Sequence, residues 1–195
     1  GVAVLLRGGL LTFGHALYYA TGAYAVGFSV KWLGIHELTL LIPLGALAGL
    51  VMAALVGLIM ARYREVFFAM LNLAFSMILF GALLKFYRVT GGTDGLSIGT
   101  ATLLGFELEG DGFGYYYFSV AIVGLVAWVV SRFMASPAGY FLRAMYDNEI
   151  RIEYTGVAVR QVVYRTYLLA GTLGGVSGGL ADFAIGHIVP EDAFW

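Results

Sequence analysis

Apolar residues run in long stretches along this chain, and its charged residues gather between them. A helix needs about 20 apolar residues to cross the hydrocarbon of a bilayer. Leu38–Met60 and residues 66–84 meet that length without a single charge. A third run, residues 113–131 (FGYYYFSVAIVGLVAWVVS), has three consecutive tyrosines at one end and Trp128 near the other, as interface anchoring requires. A fourth, residues 166–186, carries only Asp182, roughly 6 Å from its outer end by helical rise. Residues 8–30 have the length of a fifth span. Their Gly8, Gly9, Gly14, His15, Gly22 and Gly27 fit a broken or re-entrant helix equally well.

The basic residues orient these spans. With the N-terminus inside, five crossings place Arg7, Arg62, Arg64, Arg132, Arg143, Arg151, Arg160 and Arg165 on one side, eight of the eleven Lys and Arg. Lys31, Lys85 and Arg88 fall on the other. Excess Lys and Arg mark the cytoplasmic side, so residues 132–165 are expected to form a cytoplasmic loop. Residues 85–112 form an extracytoplasmic one, acidic through Asp94, Glu107, Glu109 and Asp111. The fold class expected is an all-α polytopic transmembrane bundle with about five spans in one domain, 1–195. No cleavable leader is read in GVAVLLRGG. That opening resembles the tail of an earlier apolar stretch, and PEDAFW stops just past an outer segment, so a longer membrane protein is expected.

Composition narrows the function classes. The 195 residues are 61% hydrophobic and 12% charged, with 28 glycines and no cysteine, and the mean hydropathy is +0.87. Soluble domains are about 25% charged, so a bilayer is the expected surrounding. A net charge of −1 supplies no basic field for nucleic acid. Without cysteine there are no disulfides, thiolate metal sites or Cys nucleophiles. The sequence contains no HExxH or GxxxxGK[ST] pattern, so neither zinc-hydrolase chemistry nor ATP hydrolysis by this chain is expected. No metal or cofactor is expected on it either.

The glycines have a pattern of their own. Gly171, Gly175 and Gly179 recur every fourth residue, as do Gly174 and Gly178, and Gly45 and Gly49 repeat the spacing. Small-xxx-small faces let helix backbones approach closely, within one subunit or between two. Residues 90–96, TGGTDGL, read as turns at the bundle rim or as part of the mouth of a pathway. His15 and Asp182 are the ionisable groups placed within spans, where such groups mark function or satisfy local backbone.

The loop 132–165 is the most informative polar stretch. Ser136 and Pro137 fit an N-cap and first helical residue. Asp147 is read as the cap of a second short helix, 148–155, closed by Gly156. This amphipathic piece carries Arg143, Asp147, Glu149, Arg151 and Glu153 beside Ile150, Ile152 and Tyr154. It suits docking to a partner, or a plain connector. Its acidic residues disfavour resting on anionic headgroups.

Four stretches taken together resemble one family: residues 10–25 (LLTFGHALYYATGAYA), 64–76 with FAMLNLAFS, 90–96 (TGGTDGL) and 136–157 (SPAGYFLRAMYDNEIRIEYTGV). The resemblance is to the LivM-type permease subunits of bacterial ABC importers for branched-chain amino acids, related to urea and amide permeases. It implies that Arg143, Asp147, Asn148, Glu149, Arg151 and Gly156 belong to a coupling segment meeting an ATPase subunit. It implies also that Gly14, His15, Gly22 and Tyr24 lie near the translocation pathway. Tyr154 departs from a small residue common in the family, and Asp182 from an uncharged position. The expected partners are a homologous permease subunit, two cytoplasmic ATPase subunits carrying ATP and Mg, an extracytoplasmic solute-binding protein and the bilayer of the bacterial inner membrane. The alternative is an ion- or proton-coupled secondary carrier of small solutes.

Overall fold

In the computed structural model, residues 1–99, 102–103, 106–107 and 113–194 are described. Glu109, Asp111 and Trp195, named above, lie outside them. Nine helices are present among the described residues: α1 Val2–Leu6, α2 Ala16–Leu33, α3 Leu38–Met60, α4 Glu65–Lys85, α5 Tyr87–Thr90, α6 Phe113–Met134, α7 Pro137–Asp147, α8 Glu149–Tyr154 and α9 Val159–Ile185. By length and composition α3, α4, α6 and α9 are long and apolar enough to cross a membrane. Two antiparallel pairs of two-residue strands complete the fold: β1 Leu96–Ser97 with β4 His187–Ile188, and β2 Thr102–Leu103 with β3 Phe106–Glu107.

The centre is a sandwich of three helices, α2, α3 and α9, each packed on the other two, and glycine makes it possible. Gly175 faces both neighbours: a Cβ there would lie 2.2 Å from the Gly45 carbonyl oxygen, and one on Gly22 would lie 2.3 Å from the Gly175 oxygen. Gly171 meets Ala53 and Gly49, and Gly179 meets Val26. The face read from the sequence is therefore used inside the chain. The order of contacts shows that α2 runs parallel to α9 and α3 runs against it.

For the fifth expected span, 8–30, the structure shows the broken-helix alternative. Helix α2 starts only at Ala16, and the chain from Leu10 to Gly14 is not helical. Gly14 is pressed against α4, where a Cβ would fall 2.0 Å from the Asn72 carbonyl oxygen. His15 sits beside Gly174, about 22 Å along α9 by helical rise. So α2 begins deep in the bundle, after the chain has passed down through α1 and returned unwound. Non-helical backbone at such depth is sustained only where protein or a water-filled cavity surrounds it.

Two further boundaries differ from expectation. Residues 132–165 are not all loop: α6 continues through Arg132 to Met134, and α9 begins at Val159, so it includes Arg160 and Arg165. Charged side chains end an apolar run without ending a helix, because its terminal turns reach water. Helix α6 meets the core along one half-buried stripe that includes Ile122, Val126, Val130 and Phe133, and its Tyr115 hydroxyl donates to the Leu180 carbonyl of α9, while its other faces are exposed.

At the end opposite the arginines, TGGTDGL forms a tight clasp. The Thr90 hydroxyl donates to the Leu83 carbonyl at 2.7 Å, and the Gly92 amide donates to Thr90 Oγ1 at 3.2 Å. Gly91 has φ 78°, and a Cβ there would meet the Gly95 oxygen at 2.0 Å. The Tyr87 hydroxyl closes the turn on Asp94 Oδ2 at 2.8 Å, a bond that raises the phenol's pKa. Pairing of Leu96 with Ile188 then ties this turn to the end of α9.

Candidate functional site

Three polar regions lie along the bundle. At the arginine end, α7 and α8 form a short pair beneath the long helices. Ser136 stands at the N-cap of α7 with Pro137 following, but its hydroxyl donates to the Phe133 carbonyl rather than capping. The cap of α8 is Asn148, not Asp147: Asn148 Oδ1 accepts the Arg151 amide at 3.0 Å, while Asp147 is the last residue of α7. Asp147 remains helical, so only Asn148 has the extended backbone a cap needs. Gly156, at φ 83°, ends the segment.

Glu149 turns back into the bundle. Arg64 Nε reaches both of its carboxylate oxygens, at 3.0 and 3.1 Å, and Arg64 Nη2 adds a contact of 3.0 Å. The same guanidinium donates from Nη1 to the carbonyls of Ala61 and Tyr63. One arginine thus fastens α8 to the turn between α3 and α4. Buried Ile152 anchors the helix to the bundle core, whereas Ile150 and Tyr154 are 65% and 88% exposed. Arg143, Asp147, Asn148, Arg151 and Gly156 are also exposed. A cleft of about 340 Å³ lined by Gly8, Gly9, Arg64 and residues 145–149 opens beside them.

Deep in the bundle, the Tyr18 hydroxyl donates to that of Tyr167, which donates to Asn72 Oδ1. Asn72 Nδ2 donates to the Phe68 carbonyl at 2.9 Å. This chain joins α2, α9 and α4, and all three side chains are buried. His15 packs edge-on against Tyr18, and both its ring nitrogens, like Thr12 Oγ1, lack a hydrogen-bond partner among the described residues. Of the residues the resemblance placed near a pathway, His15 and Gly14 lie here. Gly22 instead lies in the seam with Gly175. Tyr24 belongs to the third region. The Tyr18, Tyr167 and Asn72 chain was missed in the sequence, where the uncharged side chains stand far apart.

Toward the far end, Asp182 is fully buried in α9 and accepts the Tyr19 hydroxyl on Oδ1 at 3.1 Å. Close by, the 3₁₀ turn Pro190–Ala193 is held by the Ser76 hydroxyl on the Ala193 carbonyl at 2.6 Å. Asp192 Oδ2 accepts the Val189 amide at 3.1 Å. Burial raises the pKa of the Asp192 carboxyl, and the bond from Val189 partly offsets that. Among the described residues no group of three His, Asp or Glu is arranged to hold a metal.

A family model described as "Branched-chain amino acid transport system / permease component" matches residues 1–195. The chain belongs to this family. It is 27% identical over 206 residues to the high-affinity branched-chain amino acid transport system permease protein LivM of Escherichia coli K12, covering 94% of this chain and 48% of that protein. LivM of Salmonella typhimurium LT2 is 29% identical over 209 residues, with the same coverage of 94% and 48%. The chain thus spans about half the length of the curated relatives it matches. No solved structure matches it. Family membership and four apolar helices together make it a multi-pass membrane protein of the permease type.

Proposed function

We propose that this chain is part of the permease subunit of an ATP-driven importer in the bacterial inner membrane, moving branched-chain amino acids or similar small polar solutes. The arginine end faces the cytoplasm, as the charge distribution favours, and the acidic 85–112 loop faces outward. The chain pairs with a homologous permease subunit. Two ATPase subunits, which hold ATP and Mg, bind below, and an extracytoplasmic solute-binding protein delivers from above. The chain contributes geometry and no covalent chemistry. The relatives' printed names support the solute class.

The observation that carries this reading is the α7–α8 pair. A capped six-residue helix is pinned from inside by Glu149 and Ile152 while it presents Ile150 and Tyr154 to water. Exposed apolar side chains on a rigidly held helix suit a partner's groove. Displacement of α8 is transmitted through Arg64 to α4, and through Asn72 and Tyr167 to α9. ATP-driven movement below thereby biases the bundle between two openings.

The test replaces Ile150 with Asp and Tyr154 with Asp in the complete transporter. Both side chains are exposed, so insertion and folding should persist, while solute uptake falls at least about tenfold and ATP hydrolysis no longer responds to the loaded binding protein. Undiminished uptake in the double variant would refute the docking role.

A further inference from the structure

The arginine end holds a second cavity, which the docking of α8 leaves unused. It measures about 470 Å³ and is lined by Arg7 and Arg143 together with Ala3, Val4, Ala127 and Val130. Two glycines bring the arginines to it. A Cβ on Gly139 would lie 2.5 Å from the Met134 carbonyl oxygen, so α7 folds back tightly on the end of α6, and Arg143 follows one turn later. Gly8 is pressed against the Leu142 side chain, so the end of α1, with Arg7, abuts the turn of α7 that carries Arg143.

Charge is sorted between the two cavities of this end. Asp147 and Glu149 line the cleft beside α8, and among the described residues no acid lines this one. Among the same residues neither the Arg7 nor the Arg143 guanidinium has a hydrogen bond or a carboxylate partner, although Asp147 lies only one turn further along α7. Both arginines are exposed. The rest of the lining is largely apolar and rises into the level of the bilayer. Ala127 stands seven residues before Met134, the last of α6, which is roughly 10 Å by helical rise.

We propose that this cavity is a binding site for an anionic phospholipid of the surrounding bilayer, with its phosphate between Arg7 and Arg143 and an acyl chain along Ala127 and Val130. Guanidinium groups pair with phosphate oxygens in bidentate fashion, and basic pockets between membrane helices on the cytoplasmic side suit anionic headgroups. An acidic side chain of a soluble partner would satisfy the arginines and leave Ala127 and Val130 uncovered; a lipid matches both halves of the cavity. Arg143, which the resemblance placed among the ATPase-coupling residues, thus faces lipid. The inference rests on the orientation proposed above, with the arginine end at the cytoplasmic leaflet, and on neither the solute nor the ATPase.

Photolabelling of the complete transporter tests it, in phosphatidylcholine vesicles containing a trace of phosphatidylglycerol with a diazirine on its acyl chain. Peptide mass spectrometry should find label on residues 127–134, and an excess of plain phosphatidylglycerol should reduce it about tenfold. A diazirine phosphatidylcholine, with the same chains and no net charge, should label these residues at least about tenfold less. Arg7→Gln and Arg143→Gln should each weaken labelling about fivefold. Arg62→Gln, which removes an exposed arginine of the same end outside the cavity, should leave it unchanged. Equal labelling by the two lipids, or an equal effect of Arg62→Gln and Arg143→Gln, would overturn the site, leaving an apolar groove or a diffuse surface charge. Glycerol phosphate has the phosphate without the chains, and competition by it as strong as by phosphatidylglycerol would assign a soluble anion and overturn the lipid. Absence of label on residues 127–134 while other helices are labelled would give the cavity to a protein subunit and overturn it as well. The comparison of the two lipids needs no variant, and the readout needs neither uptake nor hydrolysis, so these outcomes are independent of whether α8 docks an ATPase.

Discussion

Replacing Gly175 with alanine adds one methyl group where three helix backbones meet. The new Cβ would sit 2.2 Å from the Gly45 carbonyl oxygen and 3.0 Å from the Gly49 Cα. Both are backbone atoms, so no side chain can rotate away. Relief to ordinary van der Waals distance, about 3.4 Å, requires α3 and α9 to separate by roughly 1 Å, and such a gap forfeits a quarter to a half of each dispersion contact along the seam. Overpacking of this kind costs about 1–3 kcal/mol, and loss of contacts down the seam argues for the upper end. Helix propensity opposes it, since alanine gains about 1 kcal/mol over glycine. The net expectation is a destabilisation of about 2 kcal/mol, or about 4–8 °C in melting temperature for a chain of this size. Gly81 and Gly124 supply the control, because each is helical and a Cβ there meets nothing within 4 Å. Gly81→Ala should leave stability unchanged or raise it. Thermal unfolding of the three purified variants in one detergent reads the difference. A Gly175→Ala protein as stable as Gly81→Ala would refute the seam as the basis of the sandwich.

Two other perturbations test the links between regions. Arg64→Glu and Glu149→Arg should each reduce uptake several-fold, while the double swap restores a substantial part; additive losses in uptake would show that the pair does not hold α8. Asn72→Leu removes the acceptor for the Tyr167 hydroxyl in a fully buried position and should cost about 1–3 kcal/mol. Tyr167→Phe in that background should then cost less than it does alone, and equal costs in unfolding measurements would break the proposed chain.

Helix α3 was legible to the residue, because its uncharged run is bounded by Glu37 on one side and by Arg62 just beyond the other. The start of α2 was not. Its glycines announced a break, but the break's position depends on Gly14 meeting a carbonyl of α4, a contact between residues 58 positions apart that no local pattern records. The cap of α8 was misplaced by one residue, since Asp and Asn cap alike and the choice fell to how far α7 continues. Gly171, Gly175 and Gly179 were visible as a close-packing face, while their partners were not. The same holds for Glu149, whose charge is plain in the sequence and whose partner Arg64 lies 85 residues earlier. Asp182 was recognisable as unusual from hydropathy alone, but its lack of a counter-ion is a property of the assembled bundle.

The clasp between TGGTDGL and the end of α9 has a bearing on biogenesis. Leu96 emerges from the ribosome about ninety residues before its partner Ile188, at roughly 5–20 residues per second. For some seconds, then, the outer turn must wait with its strand edge open, and α3 must reside in lipid with Gly45 and Gly49 uncovered. Insertion of α9 closes the seam and the rim in one event, so a chain interrupted before residue 188 would leave both unsealed and exposed to quality-control proteases.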